Sequence, residues 1–180
     1  MLTLLVGGAR SGKSALALQM ARATGVAVVF VATAEGRDEE MAARIAAHRA
    51  ERPQSWSTVE APVHVGPALS RAPDGATVVI DCLTLWVANA MEAGLTDGAI
   101  IGSAGAFAAE AAGRAGSVIA ISNEVGAGIV PADPVSRRYR DVLGRVNTVL
   151  AEHADDAFLV VAGRVLALLR PAAGASLRAT

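Results

Sequence analysis

Sixteen residues of this 180-residue chain are basic, and only Lys13 is a lysine. It stands in Gly7-Gly8-Ala9-Arg10-Ser11-Gly12-Lys13-Ser14, an unbroken G-x-x-x-x-G-K-S spacing. Glycines at these places let backbone N–H groups turn inward around a β-phosphate, and a helix opening at the lysine adds the positive end of its dipole. The lysine reaches β- and γ-phosphate oxygens as a compact point charge, which arginine's planar fork does not imitate. Ser14 follows with a hydroxyl suited to Mg²⁺. The eight residues predict a phosphate loop for a nucleoside triphosphate, with Lys13 in the catalytic role.

Asp81 is the natural second residue for that metal. It ends the apolar run Val78-Val79-Ile80. Its carboxylate therefore emerges at a strand's carboxyl end, next to the phosphate loop if the two strands are neighbours, where it can hold Mg²⁺ through water. The other account is a helix N-cap for the segment that follows. Cys82 reads as a small core residue. With one lysine, already used, the chain has no Asn-Lys-x-Asp base-reading motif, which argues against a signalling GTPase.

A third group lies between 38 and 52. Met41, Ile45 and His48 fall at i, i+4 and i+7 and share a helical face, while Arg44, His48 and Arg52 form a cationic row beside it. A neutral imidazole at such a border could meet an anion. By spacing alone, a boundary histidine packing against the core is the more economical account. Farther on, Arg137, Arg138 and Arg140 crowd the first turns of a helix, where cations oppose its dipole. They face a phosphate, a neighbouring subunit, or simply solvent.

The elements that must position these groups alternate. Strands are expected at Leu2–Val6, Val26–Ala32, Ala76–Asp81, Ser117–Ser122 and Phe158–Ala162. Helices are expected at Lys13–Ala23, at Asp38–Glu51 with Asp38 as N-cap and Pro53 as a stop, weakly at Val63–Arg71, and at Leu83–Ala93, Ala99–Arg114 and Pro134–His153. The last should bury Val135, Tyr139, Val142, Val146 and Val149. Trp56 and Glu60 fall in an expected loop, and the tail from Arg164 should fray after Leu169. Continuous apolar strands alternating with helices predict an α/β fold: a mostly parallel sheet with helices on both faces, binding ligands at the strands' carboxyl ends. Residues 1–180 show no repeat, linker or second core, so a single domain is expected, with 170–180 flexible.

Composition narrows the partners. Hydrophobic residues make up 53% and charged residues 18%, a globular balance, and the formal net charge is -1. No broad basic surface follows, which argues against nucleic acid and anionic membrane. One cysteine rules out an intrachain disulfide. The apolar run Leu2–Val6 is too short for a signal peptide or a membrane span, so no membrane insertion and a cytoplasmic location are expected.

Several blocks in order resemble one family. They are the phosphate loop, Ala32-Thr33, the run from Asp38 through Met41-Ala42-Ala43-Arg44-Ile45 to His48-Arg49, Trp56 and Glu60, and Asp81-Cys82-Leu83-Thr84-Leu85-Trp86. They continue through Ser122-Asn123-Glu124-Val125-Gly126, Arg137-Arg138-Tyr139-Arg140-Asp141 and Gly144-Arg145-Val146-Asn147 to Val160-Val161-Ala162-Gly163. The chain is similar to the bifunctional adenosylcobinamide kinase/adenosylcobinamide-phosphate guanylyltransferases of cobalamin biosynthesis. That resemblance implies phosphorylation of adenosylcobinamide from ATP or GTP. It then implies transfer of GMP from GTP, through His48, to adenosylcobinamide phosphate. It implies further that Thr33, Arg49, Arg52, Glu60 and Asp81 serve the nucleotide or its metal, that the fold is close to RecA, and that the assembly is a homotrimer. The segment Glu92–Gly116 matches nothing specific in the family pattern.

Two other readings compete. A single-function small-molecule kinase would use the phosphate loop and Asp81 and leave His48 structural. A nucleotide-dependent binding module would carry out no transfer at all.

Overall fold

In the computed structural model, which describes residues 1–171, the first apolar run is strand β1, Leu2–Gly7, buried along its whole length. Helix α1, Lys13–Ala23, starts at the phosphate-loop lysine and leads to β2, Val28–Ala32. Helix α2, Glu39–Ala50, begins where Asp38 accepts a hydrogen bond from the Met41 N–H at 2.7 Å. Glu39 and Glu40 in its first turn suit the dipole. There follow β3, Ser57–Glu60; α3, Val65–Ser70; β4, Thr77–Asp81; α4, Leu83–Glu92; and α5, Asp97–Gly113. The chain continues with β5, Val118–Asn123; α6, Pro134–His153; β6, Asp156–Val161; and β7, Arg164–Ala167.

The strands form one sheet in the order β3-β2-β4-β5-β1-β6-β7. Every pairing is parallel except that of β6 with β7. Alternate residues sort the core into two layers. Leu2, Leu4, Val31, Val78 and Ile80 face α3 to α6, while Leu5, Phe30, Val79 and Ile121 face α1. Each such fully buried aliphatic or aromatic side chain contributes about 1.5–3 kcal/mol. Helix α2 stands apart from both layers, with no buried residue of its own.

Four expectations change. Ser57–Glu60 is a strand, paired in parallel on the exposed edge beside β2, where a half-polar tetrapeptide can hydrogen-bond without a core. Arg164–Ala167 is also a strand. The turn before it carries positive φ at both Ala162 (51°) and Gly163 (73°), the geometry of a two-residue hairpin. Arg170 is tied down, donating to the carbonyls of Glu152 at 3.0 Å and Ala154 at 2.6 Å; residues 172–180 of the expected flexible tail lie outside the described residues. The buried stripe of α6 is Val142, Leu143, Val146 and Leu150, with Tyr139 and Val149 partly buried against it, while Val135 in the first turn is exposed.

Candidate active site

The phosphate loop follows β1 at the sheet's carboxyl edge. Gly7 sits so close to β6 that a Cβ there would lie 2.2 Å from the Val160 carbonyl oxygen. Gly12 holds φ at +99°, a conformation only glycine adopts without strain. The β6–β7 turn braces the loop from outside, the Gly163 N–H donating to the Ser11 carbonyl at 2.8 Å. Lys13 is 6% exposed. Its ammonium donates to the carbonyls of Gly7 at 2.9 Å and Gly8 at 2.7 Å, and to the Ser11 hydroxyl at 3.4 Å. Burial lowers the pKa of Lys13 below the ordinary lysine value, and the neighbouring Cys82 and Asp81 oppose that shift.

Asp81 ends β4, but β4 does not neighbour β1, since β5 lies between them. The two groups still meet because α1 crosses the face of β1, β5 and β4 and carries its first turn toward Asp81. Burial pushes the Asp81 carboxyl up from the usual carboxylate range; Ser14, then His48, Lys13 and Arg52 pull against it. Cys82 is half-buried at the floor of the same cleft, where burial and the adjacent Asp81 raise its thiol. It is therefore no closed core residue.

A cleft of about 510 Å³ brings the groups together. It is lined by Ala9 to Ser14 of the phosphate loop, by Asp81 and Cys82 at the end of β4, and by Met41, Arg44, Ile45, His48 and Arg52 of α2 and the turn after it. The apolar stripe of α2 thus faces a cavity, which explains why its residues are only half-buried. Arg52 lies over the Phe30 ring at 4.0 Å, donates to the Thr58 hydroxyl at 3.2 Å and to the His48 carbonyl at 3.2 Å. Burial, then repulsion from Arg49, lowers its pKa.

Other expected site residues stand elsewhere. Gly7 and Gly8 meet the cleft only through Lys13. Thr33 is wholly buried beneath it, its hydroxyl donating to the Cys82 carbonyl and accepting from the Cys82 N–H, both at 2.7 Å. Arg49 and Glu60 are exposed and do not line the cleft; Glu60 sits on the edge strand, level with Ala32, which is level with Asp81. None of the three α6 arginines reaches the cleft. Arg137 bonds the carbonyls of Pro131 and Ala132, Arg138 bonds Asp97, and Arg140 bonds Asp141.

Sequence reasoning missed the polar supports. Thr84 lines the cleft and accepts from the Asn123 N–H at 2.9 Å, and Asn147 donates to the Asn123 carbonyl at 3.0 Å. Asn89 is buried on α4 among Trp86, Val87 and Ala90. An amide on such an apolar stripe requires partners, and that is the sign of it that the sequence carries.

The family model for cobinamide kinase / cobinamide phosphate guanyltransferase matches residues 3–168. The chain belongs to this family. It is 42% identical over 163 residues to the bifunctional adenosylcobalamin biosynthesis protein CobP of Pseudomonas aeruginosa, covering 89% of this chain and 92% of that protein. It is 37% identical to the corresponding CobU protein of Salmonella typhimurium, covering 91% of this chain and 97% of that one. The CobU protein of Escherichia coli is 35% identical, with the same two coverages.

Among solved structures, this member of the cobinamide kinase family is similar to the assembled ATPase EscN of the enteropathogenic E. coli type III secretion system. The TM-score is 0.56 at 16% identity, over 89% of this chain and 43% of EscN, so the chain spans less than half the length of that protein. A second type III secretion ATPase gives a TM-score of 0.51 at 14% identity, over 88% of this chain and 50% of the other. Both likenesses concern the fold, a RecA-like P-loop α/β architecture.

Proposed function

We propose that this chain phosphorylates the terminal hydroxyl of adenosylcobinamide and then converts the product to adenosylcobinamide-GDP. The observation that carries the reading is a single cleft lined by both the phosphate loop and His48, in a chain whose residues 3–168 match a cobinamide kinase and guanyltransferase family. The relatives named bifunctional favour this over the single-function kinase.

In the first reaction, ATP or GTP lies with its phosphates in the loop 7–14. The Lys13 ammonium exchanges its present carbonyl partners for β- and γ-phosphate oxygens and stabilises the charge that develops as the γ-phosphoryl group moves to the corrinoid hydroxyl. In the second, a neutral His48 nitrogen attacks the α-phosphorus of GTP and pyrophosphate leaves. A phosphate oxygen of adenosylcobinamide phosphate then attacks the same phosphorus, forming the pyrophosphate bond of the product and releasing the imidazole. Arg44 and Arg52 flank His48 and offer positive charge to the α-phosphate. Thr33 supports the floor from beneath, and Arg49 and Glu60 are assigned to the outer rim, where bound nucleotide or acceptor would reach them.

Ser14 and Asp81 fit a Mg²⁺ site: a hydroxyl and a carboxylate in hydrogen-bond contact in the cleft, the carboxylate buried where a cation would offset the cost of its charge. When bound there, Mg²⁺ would neutralise phosphate charge.

Residues 1–180 act as one domain in this reading, in the cytoplasm and as a homotrimer. No helix among the described residues is long and apolar enough to cross a membrane. A sedimentation mass of three chains is expected. Incubation with adenosylcobinamide and GTP should yield adenosylcobinamide-GDP and pyrophosphate. Adenosylcobinamide phosphate as the end product would reduce the reading to a kinase, and unaltered corrinoid would remove it.

A further inference from the structure

Helix α2 carries His48 but buries none of its own residues, so packing along its length does not fix its place. Its two ends do. At the carboxyl end, Arg52 rests on Phe30 and bonds Thr58, both on the sheet, and Arg22 donates to the Glu51 carbonyl at 2.8 Å. At the amino end, the chain leaves β2 at Thr33, whose hydroxyl latches to both backbone groups of Cys82. The next grip is Asn89. Its amide nitrogen donates to the Thr33 carbonyl at 2.8 Å and to the Pro62 carbonyl at 3.1 Å. Its amide oxygen accepts from the Arg37 guanidinium at 3.1 Å, one residue before the α2 N-cap. Arg37 is bonded in turn to Glu35 and Glu92.

Asn89 therefore uses both donors and its acceptor in one knot. It is 7% exposed and does not line the cleft. The knot joins three pieces: the segment that launches α2, the loop after β3, and α4, whose first residue follows directly on Asp81-Cys82. The amino end of the His48 helix is thus referenced to the same backbone that presents Asp81.

We propose that Asn89 is a positioning residue for guanylyl transfer, setting the distance between the His48 imidazole and a nucleotide held in the phosphate loop. This rests on the assignment of His48 as the nucleophile. The phosphate loop, Lys13 and Ser14 are mounted on β1 and α1 and do not touch the knot, and Asp81 is held independently by the pairing of β4 with β2 and β5. Loss of Asn89 should leave phosphoryl transfer to the corrinoid largely alone and slow the attack of His48, since a displacement of about 1 Å in a reacting group can cost about a hundredfold in rate.

The experiment compares wild type with Asn89→Ala, Asn89→Asp and Arg37→Ala. Asn89→Asp keeps the size and the Arg37 partner but turns an acceptor toward two carbonyls. Arg37→Ala removes one arm of the knot at a half-exposed side chain, and so remains informative if the Asn89 variants do not fold. Two rates are read: covalent labelling by GTP carrying label in the α-phosphate, and phosphorylation of adenosylcobinamide. In the Asn89 variants the maximal labelling rate should fall tenfold or more at an unchanged half-saturating GTP concentration, with the phosphorylation kcat within threefold of wild type. Arg37→Ala should show the same selectivity, with a several-fold fall. Equal loss of both activities, or loss of neither, in the variants that fold overturns the proposal. A wild type that takes no label, or a His48→Ala control that still takes it, overturns the nucleophile assignment and this proposal with it. Labelling confined to His48 with no selectivity in the variants overturns the role of Asn89 alone.

Discussion

Lys13 and Asp81 meet at the cleft floor with opposite problems. Burial works against the charge of each: it lowers the lysine pKa although three oxygens accept from the ammonium, and raises the aspartate pKa although Ser14 and nearby cations oppose the shift. Lys13→Ala should lower phosphoryl transfer by about 10²–10³-fold while leaving the fold intact, because it removes a cation aimed at developing charge. A folded variant with kinase activity within a few-fold of wild type would contradict that role. For Asp81, burial raises the folded-state pKa, so its contribution favours the folded state below the usual carboxylate range and is lost as pH rises through the raised value. Asp81→Asn removes that loss. The nucleotide-free variant should therefore melt a few degrees above wild type at neutral pH, with the gap closing as the buffer is taken toward the acid side. It should also lose about a hundredfold of its kinase rate. A melting difference that stays constant across the acid-to-neutral range would contradict the buried-charge account.

At the scale of elements, the phosphate loop is held by glycine geometry and by the β6–β7 turn. Gly163 has φ +73° and donates to Ser11. Gly163→Val should cost about 1–3 kcal/mol of stability through the disfavoured φ, and raise the KM for ATP several-fold as the brace loosens. Unchanged stability and KM, measured by denaturant unfolding and initial rates, would contradict the brace. This turn also shows where the sequence was opaque. Helix α1 and helix α6 were readable to the residue, because a lysine-led phosphate loop and a Pro134 start with Asp133 before it are strong local signals. Strand β7 was not, because Ala162-Gly163 replaces the asparagine–glycine pair that usually marks such a turn. Strand β3 is four residues on an exposed edge, too short and too polar to alternate visibly. The separation of Asp81 from β1 by β5 depends on strand order, which no local pattern encodes.

Across the whole molecule, two chemistries share one cleft. The body of the sheet presents the phosphate loop and Asp81, and a helix outside both core layers presents His48. The phosphate half was legible from a contiguous motif. The histidine half was not legible from spacing, which favoured a packed boundary residue; the resemblance singled out His48, which lines the same cleft as Lys13. For the distal supports, Asn89 above all, the sequence shows only an amide on an apolar stripe; its partners, carbonyls on remote loops, have no local pattern. The central claim is a GMP bound covalently to His48. GTP labelled in the α-phosphate, incubated with wild type and with His48→Ala, tests it most directly. Wild type should take a label that survives alkali and is lost in mild acid, as a phosphorus–nitrogen bond requires. His48→Ala should take none while still phosphorylating adenosylcobinamide, and His64 and His153 should be dispensable. A label that persists in His48→Ala, or a wild type that is never labelled during turnover, would contradict the account.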